Sequence, residues 1–276
     1  MFTLNSPILL VSFLLANLVF ASTSAPFPYL PKRQNSTTAP NPTPSFTPSE
    51  LYALQVRLWD NFLFPADVAQ AESINSTLLA EDCQGRIDIT RTFDGRELNT
   101  EYLFGLFATL AANPNQISLI GVPLTYEIIH FSAQEYISSA ATRFTFNLTS
   151  VGLVIPVEID TWIAWNANGE IEQYDATFKY WSWLMDYVIG SVAPVLGANS
   201  TTQAIEILTG LLANSICATE EQFCVGENQQ YDSKDACMAF LTQNVRFGQA
   251  FEMGQDTIGC RSIHQNMVPY RPAVHW

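Results

Sequence analysis

Four segments of alternating apolar and polar residues occupy the middle of the chain, and they restrict its fold more than any other feature. They are ISLIGVPLTYEIIHFS, AQEYISSAATRFTFNLT, GLVIPVEIDTWIAWN and GEIEQYDATF, and they end at Phe178. A period of two is typical of strands with one buried and one exposed face. Between the last two segments, Asn168-Gly169 is a favoured hairpin dipeptide. The pattern predicts three or four long antiparallel strands.

A helix with a clear start precedes these strands. In TPSELYALQVRLWDNFLF, Thr47 and Glu50 have the spacing of a capping box and Pro48 suits the first helical position. Apolar residues then recur at helical spacing, at Leu51, Leu54, Leu58 and Phe62. This segment predicts a helix, and part of AQAESINSTLLAED predicts a second, less regular one.

A short strand and further helices complete the pattern. The stretch GRIDITRTFDGRELNTEYLFGLFATLAAN predicts a strand through Phe93 and then a helix capped by Asn99. After the sheet, KYWSWLMDYVIGSVAPVLG, TTQAIEILTGLLANSICA and SKDACMAFLTQN predict three helices. The order indicates an α+β fold in which a curved antiparallel sheet wraps a helix, over residues 47–180, followed by a helical annex over residues 181–276.

The ends and the sequons predict an exported, extracellular glycoprotein. Residues 1–24 have the apolar core of a secretory signal peptide, and residues 25–46 read as a propeptide and Ser/Thr/Pro-rich stem. Four sequons are candidate glycosylation sites, at Asn35, Asn75, Asn147 and Asn199. No membrane span is predicted after the signal is removed. A formal charge of −14 opposes binding to nucleic acid or anionic membranes.

Five cysteines suit an oxidising compartment. Four of them fall in the last sixty residues and are disulfide candidates, namely Cys217, Cys224, Cys237 and Cys260. Cys83 stands apart. Near the C-terminus, Cys260, His264 and His275 offer zinc-type ligands without the usual spacings. We therefore expect no metal or cofactor, and we interpret this cluster as a structural tail with Cys260 in a disulfide and the arginines meeting acidic surface.

The segment from about residue 50 to 180, with the hairpin NGEIEQYDATF, resembles the nuclear transport factor 2-like cone fold of SnoaL-like cyclases. Over nearly all the mature chain, GRIDITRTFDGRELNTEYLFGLFA, QFCVGENQQYDS and CRSIHQNMVPYRPAVH resemble a group of secreted fungal proteins. In those relatives the chain continues into further cysteines, whereas Trp276 stands here in place of one. This resemblance implies an absent terminal segment that would hold the mate of the odd cysteine.

The resemblance also supplies catalytic candidates. Asp175 matches the Asp of SnoaL-like cyclases that takes part in proton transfer, and Tyr174 would assist it. A strand-end Asp also commonly caps a helix or pairs with an arginine. His130 shares the alternation of Ile128, which would direct it into a cone cavity, although a histidine bonded within a sheet fits equally.

Three functions follow as hypotheses. The first is binding of a small apolar or aromatic ligand in a cone-shaped pocket without turnover. The second is a SnoaL-like lyase, isomerase or cyclase that acts by proton transfer. The third is a secreted effector or cell-wall interaction protein. The motifs GxSxG, CxxC and HExxH are absent, and the oligomeric state is left open.

Overall fold

The structure, a computed structural model, describes residues 43–113 and 116–275. The expected signal peptide and the Asn35 sequon lie outside these residues, as does most of the expected propeptide and stem. The folded part begins at Phe46, whose backbone N–H donates to the Glu135 carbonyl over 2.9 Å and whose ring packs against the core.

Helix α1 spans Pro48–Phe62, and its capping box is confirmed. The Glu50 backbone N–H donates to Thr47 Oγ1 over 3.3 Å, and the Thr47 N–H donates to Glu50 Oε2 over 2.7 Å. The helix buries Leu51, Leu58, Trp59 and Phe62 against the sheet. Helix α2, Ala66–Ser73, follows as the second, shorter helix.

Six strands form one curved sheet, which confirms the α+β class. They are β1 (Leu79–Ile87), β2 (Thr92–Asp94), β3 (Val122–Gln134), β4 (Ile137–Leu148), β5 (Leu153–Trp165) and β6 (Ile171–Phe178). Their order is β2-β1-β6-β5-β4-β3. The last four form the predicted antiparallel meander, with a turn at Gly169. Strand β1 pairs with β6 in parallel, a contact that alternation does not reveal.

One continuous helical segment connects β2 to β3. It consists of α3 (Arg96–Thr100), a π-helix (Glu101–Gly105) and α4 (Leu106–Ala112). The prediction that Asn99 caps this helix is wrong, because the helix already begins after Gly95, whose φ is 86°. Asn99 is buried instead, and its amide donates to the carbonyls of Cys83, Phe93 and Gly95.

The predicted helical annex contains five α-helices within the described residues. They are α5 (Trp181–Val192), α6 (Thr201–Phe223), α7 (Lys234–Asn244), α8 (Ile258–His264) and α9 (Pro272–His275). Trp181, Met253 and Ile263 of this region belong to the same apolar core as the sheet. None of the helices described is both long and apolar enough to cross a membrane.

Of the four annex cysteines, Cys217 and Cys237 form a disulfide, with Cα atoms 5.8 Å apart. The expectation that Cys224 and Cys260 are also paired is not met, because both are buried free thiols, like Cys83. Among the sequons, Asn75 and Asn199 are exposed and Asn147 is half-buried. Their glycosylation stays a prediction.

Candidate functional site

An apolar cavity of about 70 Å³ lies between the inner face of the sheet and the helices that cover it. That volume exceeds the 10–15 Å³ or so that a single water needs but is smaller than the cavity of about 150 Å³ that binds benzene in an engineered protein, so an aromatic ligand must displace lining side chains as it enters. Helix α1 and the π-helix line one side, strands β4 to β6 the other, and α5 and α8 complete the wall. The lining includes Trp59, Phe62, Tyr102, Leu103, Phe146, Val157, Ala176, Trp181, Met253 and Ile263.

The strand alternation explains why this lining is apolar. On β5, Ile155, Val157 and Ile159 are buried toward the cavity, whereas Glu158 and Asp160 point outward and both contact the ammonium of Lys179. The predicted strand with one buried and one exposed face is thus confirmed for β5. The sheet therefore supplies hydrocarbon to the cavity and keeps its carboxylates outside.

The few polar side chains of the lining already have partners. The indole N–H groups of Trp59 and Trp181 donate to Thr142 Oγ1 over 3.1 Å and to the Ala250 carbonyl over 2.8 Å. The Thr90 hydroxyl lies 3.4 Å from the Ile87 carbonyl oxygen. The Tyr102 hydroxyl lies 3.0 Å from His264 Nε2. The cavity is thus suited to an apolar molecule.

His130 does not face this cavity, so the expected placement is wrong. The ladder between β3 and β4 shifts by one residue, since Ile128 lies opposite Thr142 and His130 opposite Ala141. Such a bulge reverses the alternation that follows it. Ile128 and Phe131 therefore pack against the core, and His130 is exposed.

A second bulge places Asp175 on the outer face. Trp165 of β5 lies opposite Ile171 and Ala164 opposite Gln173, so that Glu172 is the extra residue. Beyond it Tyr174 and Ala176 are buried, and Asp175 points outward to an ion pair with exposed Arg86. The pairing with an arginine is the alternative named above, and the partner is Arg86. Asp175 is not among the residues that line the cavity.

Tyr174 is buried in the sheet and is also absent from the cavity lining. Its hydroxyl and Asn99 Oδ1 both lie where a side chain at Gly85 would project. Burial raises the pKa of Tyr174 well above the usual range. The three catalytic candidates therefore do not form one site. Tyr174 is buried, whereas Asp175 and His130 lie on outer surfaces.

The structure joins the C-terminal cluster to the π-helix through Glu101, a residue that the sequence did not indicate. Glu101 is fully buried, and its Oε2 lies 3.0 Å from His275 Nε2. Arg271 contacts Glu97 over 3.1 Å and Glu101 over 3.4 Å. The arginine part of the tail interpretation is thus confirmed, whereas Cys260 forms no disulfide. Glu101 lies within a helical segment that combines α- and π-helix, and no sequence motif marks it as a functional residue.

His264 links this cluster to the cavity wall. Burial of the ring, together with the charges of His275, Arg91 and Arg261, lowers the pKa of His264 to about 3. It is therefore neutral at physiological pH, and Tyr102, whose own pKa is raised by burial, is its hydrogen-bond partner.

His264, His275 and Cys260 also line a second, more polar pocket of about 190 Å³. Over residues 43–113 and 116–275, no three His, Cys, Asp or Glu side chains are grouped so as to hold a metal ion.

The fold and the site together define an α+β protein with an apolar cavity enclosed between a curved sheet and a helical annex. Family models of the BfoA N-terminal domain and the BfoA family C-terminal domain match residues 56–176 and 180–276. The chain belongs to the BfoA family.

Curated relatives are fungal. The Aurasperone B biosynthesis cluster protein A of Aspergillus niger is 49% identical over 259 residues, covering 92% of this chain and 82% of that protein. The Bifonsecin B biosynthesis cluster protein A of Aspergillus brasiliensis is 51% identical over 234 residues, covering 84% and 77%. These two relatives confirm the expected likeness to fungal proteins.

Among solved structures, an uncharacterized bacterial protein with a cystatin-like fold from Silicibacter pomeroyi is 13% identical. The match covers 48% of this chain and 81% of that chain, with a TM-score of 0.31.

Proposed function

We propose that this protein binds a small apolar or aromatic molecule in the cavity beneath the sheet, and that the molecule is a product or intermediate of a fungal biosynthetic gene cluster. The cavity lining supports the first part. The names of the relatives, which are biosynthesis cluster proteins, support the second. Secretion and a nuclear transport factor 2-like cone are further parts of the same proposal.

The observation that carries the proposal is the chemistry of the lining. Hydrocarbon side chains from the sheet, α1 and α5 converge on one cavity. The two indole N–H groups in that wall are already donated to Thr142 and Ala250. Transfer of an apolar molecule from water into such an enclosure is favourable by about 25 cal/mol per Å² of apolar surface removed from water.

Binding without turnover accounts for the site better than proton transfer does. General acid/base catalysis needs a titratable group within hydrogen-bond reach of the reacting atom. Asp175 and His130 lie on outer surfaces, and Tyr174 is enclosed in the sheet. None of the described residues that line the cavity carries a carboxylate, and burial raises the pKa of the Tyr102 phenol among them, so that it is a poor acid or base near neutral pH.

The test is a substitution that places a larger side chain inside the cavity. Ala176 lines it from β6, and Ala176→Leu adds three carbon atoms at that point. Binding of an environment-sensitive apolar fluorophore by the wild type should weaken at least about tenfold in this variant, which corresponds to about 1.4 kcal/mol. The matched control is Val154→Phe, which adds bulk to the exposed side of neighbouring β5.

The control should bind the fluorophore as the wild type does. Equal affinity in the wild type and Ala176→Leu, with both proteins folded by circular dichroism, would show that the fluorophore binds elsewhere and would contradict the proposal. If Ala176→Leu does not fold, Ala176→Val offers a smaller filling with the same expected direction.

One surface feature favours a second candidate function, contact with cell-wall polysaccharide. On α5, the rings of Trp183 and Tyr187 stack with centroids 6.2 Å apart, and the residues are 69% and 50% exposed. Exposed aromatic side chains present an apolar face with a polar edge, which suits stacking on sugar rings. Sedimentation with insoluble chitin or β-glucan should retain the wild type and lose Trp183→Ala; equal retention would reject this candidate.

A further inference from the structure

We infer that the helical annex holds a second binding site, in which the carboxylate of Glu220 binds the ammonium group of a small primary amine. This site is separate from the apolar cavity, and the inference does not depend on the proposed function. The disulfide between Cys217 and Cys237 joins helices α6 and α7 at this point. A polar pocket of about 210 Å³ lies beside it, and Glu220 and both cysteines line that pocket.

Glu220 is a buried acidic residue whose side chain lacks a hydrogen-bond donor. It is 8% exposed, and it lies on the face of α6 that also carries Cys217, one turn earlier. Among the described residues, the one contact of its carboxylate within hydrogen-bond range is from Oε2 to Cys237 Sγ, at 3.9 Å. Because Cys237 is in a disulfide, this sulfur carries no hydrogen to donate. The carboxylate is therefore left without a partner from the described part of the chain.

A buried charge without a partner is costly, and a bound cation would remove that cost. Burial raises the pKa of Glu220, and the positive charge of Arg261 offsets only part of this rise. Arg261 forms its ion pair with Asp256, over 2.8 Å. An ammonium group that contacts Glu220 would supply both the opposite charge and the missing hydrogen-bond donor.

The neutral groups of the pocket also offer acceptors. Gln229 and Gln230 line it, and each side-chain amide donates to a backbone carbonyl, over 2.8 Å and 3.1 Å respectively. Their Oε1 atoms accept no hydrogen bond from the described residues and are left for a ligand. A primary ammonium group has three N–H donors and no acceptor, as the lysine side chain does. One carboxylate and two amide oxygens match those three donors in number.

The charges and the size of the pocket favour an organic cation over a metal ion. Glu220, Glu221 and Asp232 line the pocket, against Lys234 as its single cation. No three His, Cys, Asp or Glu side chains in the described ranges are grouped to hold a metal, and an ion such as Ca²⁺ needs about six to eight oxygen ligands. Val225 and the disulfide add apolar surface on which a carbon chain can pack. The pocket is larger than the cavity of about 150 Å³ that binds benzene in an engineered protein, so it can hold a four-carbon amine.

The experiment compares n-butylamine with 1-butanol, a neutral molecule of similar size, by their dissociation constants from NMR titration at about pH 7.5 without reductant. An alkyl amine is protonated there, as lysine is. The wild type should bind butylamine at least about tenfold more tightly than butanol, which is the usual worth of a hydrogen bond to a charged group. In Glu220→Gln, whose side chain has nearly the same shape, this preference should fall to within about threefold. Glu206→Gln, an exposed change on α6 outside the pocket, should keep the wild-type preference.

Lys234 provides a second variant with the opposite expected sign. Because its positive charge belongs to the lining, Lys234→Met should tighten butylamine binding by about two- to fivefold and leave butanol binding unchanged. This variant decides the inference if Glu220→Gln does not fold, since an unchanged affinity for butylamine would then overturn it.

The remaining outcomes separate this site from water and from general charge attraction. If the wild type shows no saturable binding of butylamine, the pocket holds water only and the inference is overturned. An equal preference in the wild type and Glu220→Gln would place the amine elsewhere, and a loss of the preference in Glu206→Gln would show that binding follows the net charge. Either result overturns the inference, and each leaves the proposed function of the apolar cavity unaffected.

Discussion

The inner and outer faces of the same sheet differ sharply in chemistry. On β5, Ile155, Val157 and Ile159 close the cavity, whereas Glu158 and Asp160, one residue away along the strand, share Lys179 in partial contact with solvent. Across the outer face of β1 and β6, Arg86 pairs with Asp175. The comparison shows that the sheet shapes the cavity but gives it no titratable group. Any polar recognition must come from the helices and the annex that cover it.

Some carboxyl groups are buried in the interior, and their surroundings differ from those of the carboxylates on the outer face. Asp67 of α2 is fully buried, and burial raises its pKa to about 6. Glu101 is also fully buried and is matched by Arg271 and His275. Of these two interior carboxyl groups, burial holds that of Asp67 toward its neutral form and that of Glu101 contacts Arg271 and His275, whereas outside the carboxylates of Asp175, Glu158 and Asp160 form partly solvated pairs.

The largest expected effect is on the inner face. Phe144 is fully buried among Trp59, Phe62 and Phe146, so Phe144→Ala should lower the free energy of unfolding by about 3–5 kcal/mol. The neighbouring Arg143 lies on the outer face, and Arg143→Ala should change it by less than about 0.5 kcal/mol. Urea denaturation measures both, and similar losses in the two variants would contradict the contrast between the faces.

An intermediate effect is expected at Asp67, where it depends on pH. Because its folded pKa is raised from 3.8 to about 6, the stability that this group contributes is present below about pH 4 and is lost as the pH rises through 6. Asp67→Asn, which stays neutral, should match the wild type near pH 4. It should be more stable by about 2–3 kcal/mol at pH 7.5, which is above both pKa values.

The measurement is urea denaturation at both pH values, with Glu72→Gln, an exposed change on the same helix, as control. The control should differ from the wild type by less than about 0.5 kcal/mol because Glu72 is exposed. An Asp67→Asn variant that is less stable than the wild type at pH 7.5 would indicate that the carboxylate is needed in its charged form.

The smallest effect is expected on the outer face. Asp175→Asn removes the charge that pairs with Arg86, a residue whose side chain is 63% exposed, and should cost about 0.2–1 kcal/mol. Fluorophore affinity should stay unchanged because Asp175 does not line the cavity. A loss of ligand binding in this variant, with the fold intact, would return Asp175 to the functional site and would break the comparison.

The parts of the fold that follow from local pattern were predictable. The capping box at Thr47 and Glu50 and the four-stranded meander rest on interactions between residues close in sequence, and the structure contains them. The parallel pairing of β1 with β6 was not predictable, since it joins strands about ninety residues apart. The capping prediction for Asn99 was wrong because its side-chain amide donates to three backbone carbonyls, those of Cys83, Phe93 and Gly95, and does not cap a helix.

The candidate site was harder to predict, for a specific physical reason. His130 was placed by counting every second residue and Asp175 by its match to SnoaL-like cyclases, and a bulge just before each of them, in β3 and in β6, puts it on the outer face. Tyr102 and His264 are 162 residues apart and meet only through packing of the π-helix on the annex. No spacing within either segment indicates the contact.

The most direct test of the cavity as a ligand site is denaturing mass spectrometry of the protein purified from the fungus that produces it. The wild type should release one small apolar molecule in a ratio near one to one, and Ala176→Leu from the same source should release much less. Wild-type protein that carries no such molecule, with a crystal structure showing the cavity closed by its own side chains, would contradict the account.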